Sequence, residues 1–103
     1  MDEFYIEKNG IDNLDYVVNF TKWLGDDSIS AVTTNPVRGG VIVQSASRNE
    51  SQMIDNGKVI EPRKGAIVWI YGGVPGAVAR IRVTISTALG RTKSVMLIVT
   101  ITS

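Results

Sequence analysis

Two long β-prone runs stand near the C-terminal end, Val78 to Thr87 and Thr92 to Thr102, parted only by Ala88-Leu89-Gly90. So short a break joins antiparallel neighbours. Gly90, third in the loop, supplies the left-handed backbone that a three-residue hairpin loop needs, without a Cβ penalty. If Thr87 faces Arg91, then Val83 lies opposite Val95, Ile81 opposite Leu97 and Ala79 opposite Val99, all on one face. Arg80, Arg82, Thr84 and Ser86 take the other face, the alternation of a half-buried antiparallel strand. This hairpin sets the class as all-β and carries no chemistry of its own.

Shorter strands precede it. Leu14 to Phe20 places Tyr16, Val18 and Phe20 on one face, and Trp23-Leu24-Gly25-Asp26-Asp27 turns a corner. Ser28 to Thr34 is β-prone and is expected to stop at Asn35-Pro36, because proline offers no ladder donor. Val41 to Ser45 follows. Asp55-Asn56-Gly57 then makes a minor hairpin between Met53-Ile54 and Val59-Ile60, and Ala66 to Tyr71 ends in Gly72-Gly73. Six or seven short strands, without a helix or an internal repeat, predict an antiparallel β-sandwich. The turn-formers Asn9-Gly10 and Asp12-Asn13 set off residues 1–13 as an N-terminal arm before a single domain over 14–103.

Composition narrows the chemistry. The 103 residues hold no Cys and no His, which removes disulfides, thiol chemistry and most nucleophile–base pairs and transition-metal sites. An acidic start with no apolar stretch behind it predicts no signal peptide, and no apolar run approaches the ~20 residues of a membrane-spanning helix. The net charge of +1 is unevenly spread: residues 1–27 hold seven acids against two lysines, and residues 28–103 hold nine cations against three acids. Such a split favours solvated strand faces, head-to-tail contact between copies, or docking onto charged partners.

Few residues suggest a site. Asp26-Asp27 lacks the count and spacing of calcium ligands and reads as a solvated turn. Trp23 and Trp69 read as core, with sugar stacking by Trp69, Tyr71 and Trp23 as the competing possibility. Arg80, Arg82, Arg91 and Lys93 form a basic patch, but without stacking aromatics in the hairpin nucleic-acid binding is not expected. The last strand, Val95-Met96-Leu97-Ile98-Val99, is apolar on both faces. It is therefore either central in its sheet or turned toward another subunit. The candidate partner interface is Arg80, Arg82, Met96 and Ile98, with Phe4 and Tyr5 of the arm. Folding of the arm over its own last strand is the alternative.

Three clusters, taken in order, resemble a known family: Leu14-Asp15-Tyr16 with Trp23-Leu24-Gly25-Asp26-Asp27-Ser28-Ile29, Val68-Trp69-Ile70-Tyr71-Gly72-Gly73, and Thr87-Ala88-Leu89-Gly90-Arg91-Thr92. Together they look like the small immunoglobulin-like virion proteins of tailed bacteriophages described as fibre–tail adaptors. The resemblance runs from about residue 14 to the end. It departs at 34–64, where Thr34-Asn35-Pro36 replaces an aromatic-bearing strand and the Asp-Asn-Gly hairpin looks inserted. The resemblance implies an immunoglobulin-like sandwich and a non-enzymatic structural role in the virion, after assembly in the host cytoplasm. Its partners would be other tail, fibre or capsid subunits in multiple copies, with no cofactor, metal, small-molecule substrate or membrane. Head decoration and carbohydrate binding are the alternatives on a fold that serves many functions.

Overall fold

The computed structural model describes residues 2–9, 13–38, 41–55 and 57–102. In chain order these form β1 (Asp2–Asn9), β2 (Asn13–Asn19), a single helical turn α1 (Thr21–Leu24), β3 (Ile29–Arg38) and β4 (Val41–Arg48). Then follow β5 (Met53–Asp55), β6 (Lys58–Ile60), β7 (Gly65–Gly72), β8 (Val78–Thr87) and β9 (Thr92–Thr102). One sheet has the order β1-β9-β8-β3 and the other β2-β7-β4, with β5 and β6 paired apart from both. The two main sheets thus make a seven-strand sandwich. Its β2-β7-β4 layer opposite β3-β8-β9 is the strand arrangement of immunoglobulin domains.

The terminal hairpin has the register expected from sequence, with Val83 opposite Val95, Ile81 opposite Leu97 and Ala79 opposite Val99. The Thr87 N–H donates to the Arg91 carbonyl at 2.9 Å, and Gly90 has φ 83°. The inward side chains of β8 (Ala79, Ile81, Val83, Ile85) and β9 (Val95, Leu97, Val99, Ile101) meet Val18, Ala66, Val68 and Ile70 of the other sheet. Phe20, Leu24 and Ile29 belong to the same cluster. Burying these aliphatic side chains is the main term holding the sheets together.

Three features differ from the sequence expectation or exceed it. β3 does not stop at Asn35-Pro36 but runs on to Arg38, with Pro36 opposite Ile81 and a register shift just after it. β3 is the last strand of its sheet, and an edge strand tolerates the absence of the ladder donor that proline lacks. The turn α1 is too short to show helical periodicity; the Leu24 N–H donates to the Phe20 carbonyl at 2.9 Å. Residues 2–9 pair with β9 in parallel, Asp2 beside Val95 through to Asn9 beside Thr102. β9 is therefore central, flanked by β1 and β8, which accounts for apolar residues on both its faces.

The long connection from β4 to β7 is organised by buried Asn49. Its side-chain nitrogen donates to the carbonyls of Ser51, Ile60 and Glu61, and its oxygen accepts the N–H groups of Lys64 and Gly65. One amide thus uses its full hydrogen-bonding capacity to tie the β5–β6 hairpin down. Arg48 crosses from β4 to the neighbouring sheet edge, donating to the Ile29 and Ser30 carbonyls.

Candidate docking surface

β1, β9 and β8 present the outer face that the sequence singles out. In register, Glu3 lies beside Met96 and Arg82, and Tyr5 beside Ile98 and Arg80. The Arg80 guanidinium reaches Glu3 at 3.8 Å, so their ion pair crosses β9 between Met96 and Ile98. The Tyr5 hydroxyl donates to Glu3 at 3.0 Å. That hydrogen bond to the neighbouring carboxylate, followed by its charge, pushes the Tyr5 phenol up, while Arg80 opposes the shift. With these side chains around it Ile98 is only 4% exposed, Met96 is half-buried, and Arg82 and Tyr5 face solvent. Phe4 is not with them, because its side chain points inward and packs against the core. Of the six residues predicted together, five share this face.

A second cluster joins the corner after α1 to the terminal hairpin loop. Asp27 is buried, not solvated as its place in a turn suggests. Its Oδ1 accepts the N–H of Ser28 at 2.8 Å and of Leu89 at 3.1 Å, and its Oδ2 takes Arg91 Nε at 3.0 Å. Burial alone would raise this carboxyl, but donors from the Thr87 side chain, Ser28, Arg91 and Leu89 together bring it down to about 2. Arg91 also donates to the Leu24 carbonyl at 2.9 Å and stacks over Trp23 at 4.4 Å. Lys64 ties the carbonyls of Gly25 and Asp27 from the other side. Two of the sequence clusters, Trp-Leu-Gly-Asp-Asp and Thr-Ala-Leu-Gly-Arg-Thr, are the two halves of one interlock. Lys93 lies 5.5 Å over Trp23 and 3.5 Å from Asp2, so Arg91 and Lys93 of the basic patch are both paired with acids of the same chain.

The outer face of β2-β7-β4 carries Trp69, which the sequence reading places in the core, together with Tyr71. Val68 and Ile70 point inward, so Trp69 and Tyr71 point out, 38% and 50% exposed. Asp15 and Ser45 stand beside Trp69 in the flanking strands. β7 is apolar at successive positions, and only its pairing decides which set faces inward. Trp23 is held by Arg91 on the other sheet and does not join this face.

These motif-bearing segments coincide with the extent of a family match. A family model described as podophage GP4 fiber-tail adaptor protein gp77 matches residues 8–100. A comparison with curated proteins gives no match.

Proposed function

The chain belongs to that podophage fibre–tail adaptor family, and from this premise we propose that it is a non-enzymatic virion component joining neighbouring tail and fibre subunits through its β-sandwich. The observation that carries this reading is the match over nearly the whole chain, from β1 to within β9. The chemistry agrees with it. Among the described residues the most perturbed carboxylate, Asp27, is fully occupied in holding two loops together. The docking face is the outer side of β1-β9-β8, where Tyr5, Arg82 and Met96 are available to a neighbour and Ile98 and the Arg80–Glu3 pair form the floor. Phe4 supports it from below. The chain occupies the particle in multiple copies, set by the symmetry of the ring or fibre it joins.

Particles from a phage lacking this chain test the reading. Electron micrographs are expected to show tails without fibres, and gold-labelled antibody against wild-type particles is expected at the fibre–tail junction. Label over the capsid would assign the chain to head decoration instead. Exposure of Trp69 and Tyr71 side by side, with Asp15 and Ser45 adjacent, favours a second reading in which this face stacks on sugar rings. Glycan-array binding by isolated protein, lost in Trp69→Ala with the fold intact, would establish it.

A further inference from the structure

Cations on this molecule are mostly committed. Arg48 and Arg63 reach Glu50, Arg80 reaches Glu3, Arg91 reaches Asp27, Lys93 reaches Asp2, and Lys64 holds two carbonyls. Among the described side chains Lys22, Lys58 and Arg82 hold no acceptor. Two of these three, Lys22 and Lys58, line the same cleft of about 400 Å³, with Asn19, Thr21 and Val59. The Asn19 oxygen already accepts the Thr21 N–H and hydroxyl, so that amide has only its NH₂ left to offer. The cleft therefore presents two ammonium groups and an amide donor, and among the described residues no carboxylate lines it, Asp55 standing opposite Lys58 on the hairpin. At its rim Val59 pairs across the β5–β6 hairpin with Ile54, 49% and 71% exposed.

We infer that this cleft docks an acidic segment of a partner virion protein. A carboxylate of that segment bridges Lys22 and Lys58, and an adjoining aliphatic side chain covers Ile54 and Val59. The inference rests on the adaptor reading and adds a second contact to it. Asn19 stands with Asp15 and Val17 on the outer side of β2, so the cleft opens on the three-stranded layer, away from the face that carries Tyr5 and Arg82. A protein that joins two neighbours needs two such separated surfaces. Donor-rich polar chemistry selects an anion, and the aliphatic pair beside it selects a peptide, because a phosphate leaves Ile54 and Val59 uncovered and no aromatic among the described lining residues offers a base a ring to stack on.

Nuclear magnetic resonance on the folded protein tests the chemistry with a capped Glu-Leu-Glu peptide, its Gln-Leu-Gln counterpart, inorganic phosphate and a short DNA duplex as probes. The acidic peptide is expected to shift the Ile54 and Val59 methyls and the Lys22 and Lys58 side chains, and to bind about tenfold more tightly than the Gln form. The double variant K22E/K58E, with unchanged melting temperature, is expected to lose that binding and to fall about tenfold in incorporation into particles. Equal binding of both peptides, shifts elsewhere, tighter binding of phosphate or DNA at these residues, or normal incorporation of the variant would each overturn the proposal. A wild-type chain absent from particles overturns the adaptor reading itself, and the partner named here with it, even if the peptide binds.

Discussion

Asp27 and Glu3 each meet an arginine, and the two pairs could hardly be less alike. Asp27 has a side chain 1% exposed, contacts Arg91 at 3.0 Å and also receives two backbone N–H groups. Glu3 is 45% exposed and contacts Arg80 at 3.8 Å beside a tyrosine hydroxyl. The first pair fixes the corner at residues 23–27 to the loop at 87–91; the second lies along the seam where β1 rests on β9. A buried carboxylate that loses its donors strands several polar groups at once, whereas water replaces a lost partner on the surface at little cost. The same two residue types thus act as a lock in one place and as light steering in the other.

The lock should fail hardest. Asp27→Ala leaves Arg91 Nε and the Leu89 and Ser28 N–H groups without their acceptor. Thermal melts are expected to show a drop of roughly 10 °C or more. Asp27→Asn keeps the shape and separates charge from packing. Because the folded carboxyl sits at about 2 against an ordinary 3.8, its contribution is complete above about pH 4 and is lost as pH falls toward about 2. Denaturant titrations across that window should show wild type losing the advantage that it holds over Asp27→Asn at neutral pH.

Gly90→Val attacks the same lock through the backbone. A Cβ there meets open space, so the cost comes from holding a β-branched residue at φ 83°, about 1–3 kcal/mol. Gly90→Asn is expected to cost visibly less, since Asn tolerates that region; equal costs would show that side-chain packing, not conformation, governs the loop.

Glu3→Gln together with Lys93→Gln strips the seam of the two ion pairs found among the described residues and is expected to cost below about 1 kcal/mol, with the difference fading in high salt. Hydrogen exchange sharpens the contrast. Amides of β1 should open at lower free energy than those of β8 and β9, where the core is densest. Protection of β1 equal to that of β9 would mean that Phe4 and Ile6, packed against the core, hold the strand as firmly as the lock holds the loops.

What could be read from the sequence follows the distance over which each feature is decided. The terminal hairpin is local: loop length, one glycine and alternation fix its register, and so the outer positions of Arg80, Arg82, Met96 and Ile98 came with it. Sequence alone places Trp69 in the core because Val68, Trp69, Ile70 and Tyr71 offer two apolar sets, and only pairing with β2 and β4 chooses between them. The burial of Asp27 depends on residues 87–91, sixty or more positions away, and a lone Asp-Asp gives no sign of them. β3 passes Pro36 because it is an edge, which local propensity does not record. The cleft at Lys22 and Lys58 joins two segments whose proximity arises only when the β5–β6 hairpin is tied down by Asn49.

The parallel seating of β1 on β9 also dictates an order of events during synthesis. Every residue of β1 waits for a partner 93 positions downstream, which at about 5–20 residues per second leaves the strand unpaired for roughly 5–20 s. During that interval Phe4, Tyr5 and Ile6 form an exposed β-prone segment beside the nascent chains of other ribosomes. Asp2, Glu3 and Glu7 surround it with negative charge, a gatekeeping pattern that discourages like segments from pairing with one another. The acids that later find Lys93 and Arg80 thus serve first as a solubility guard, before the sheet that they complete exists.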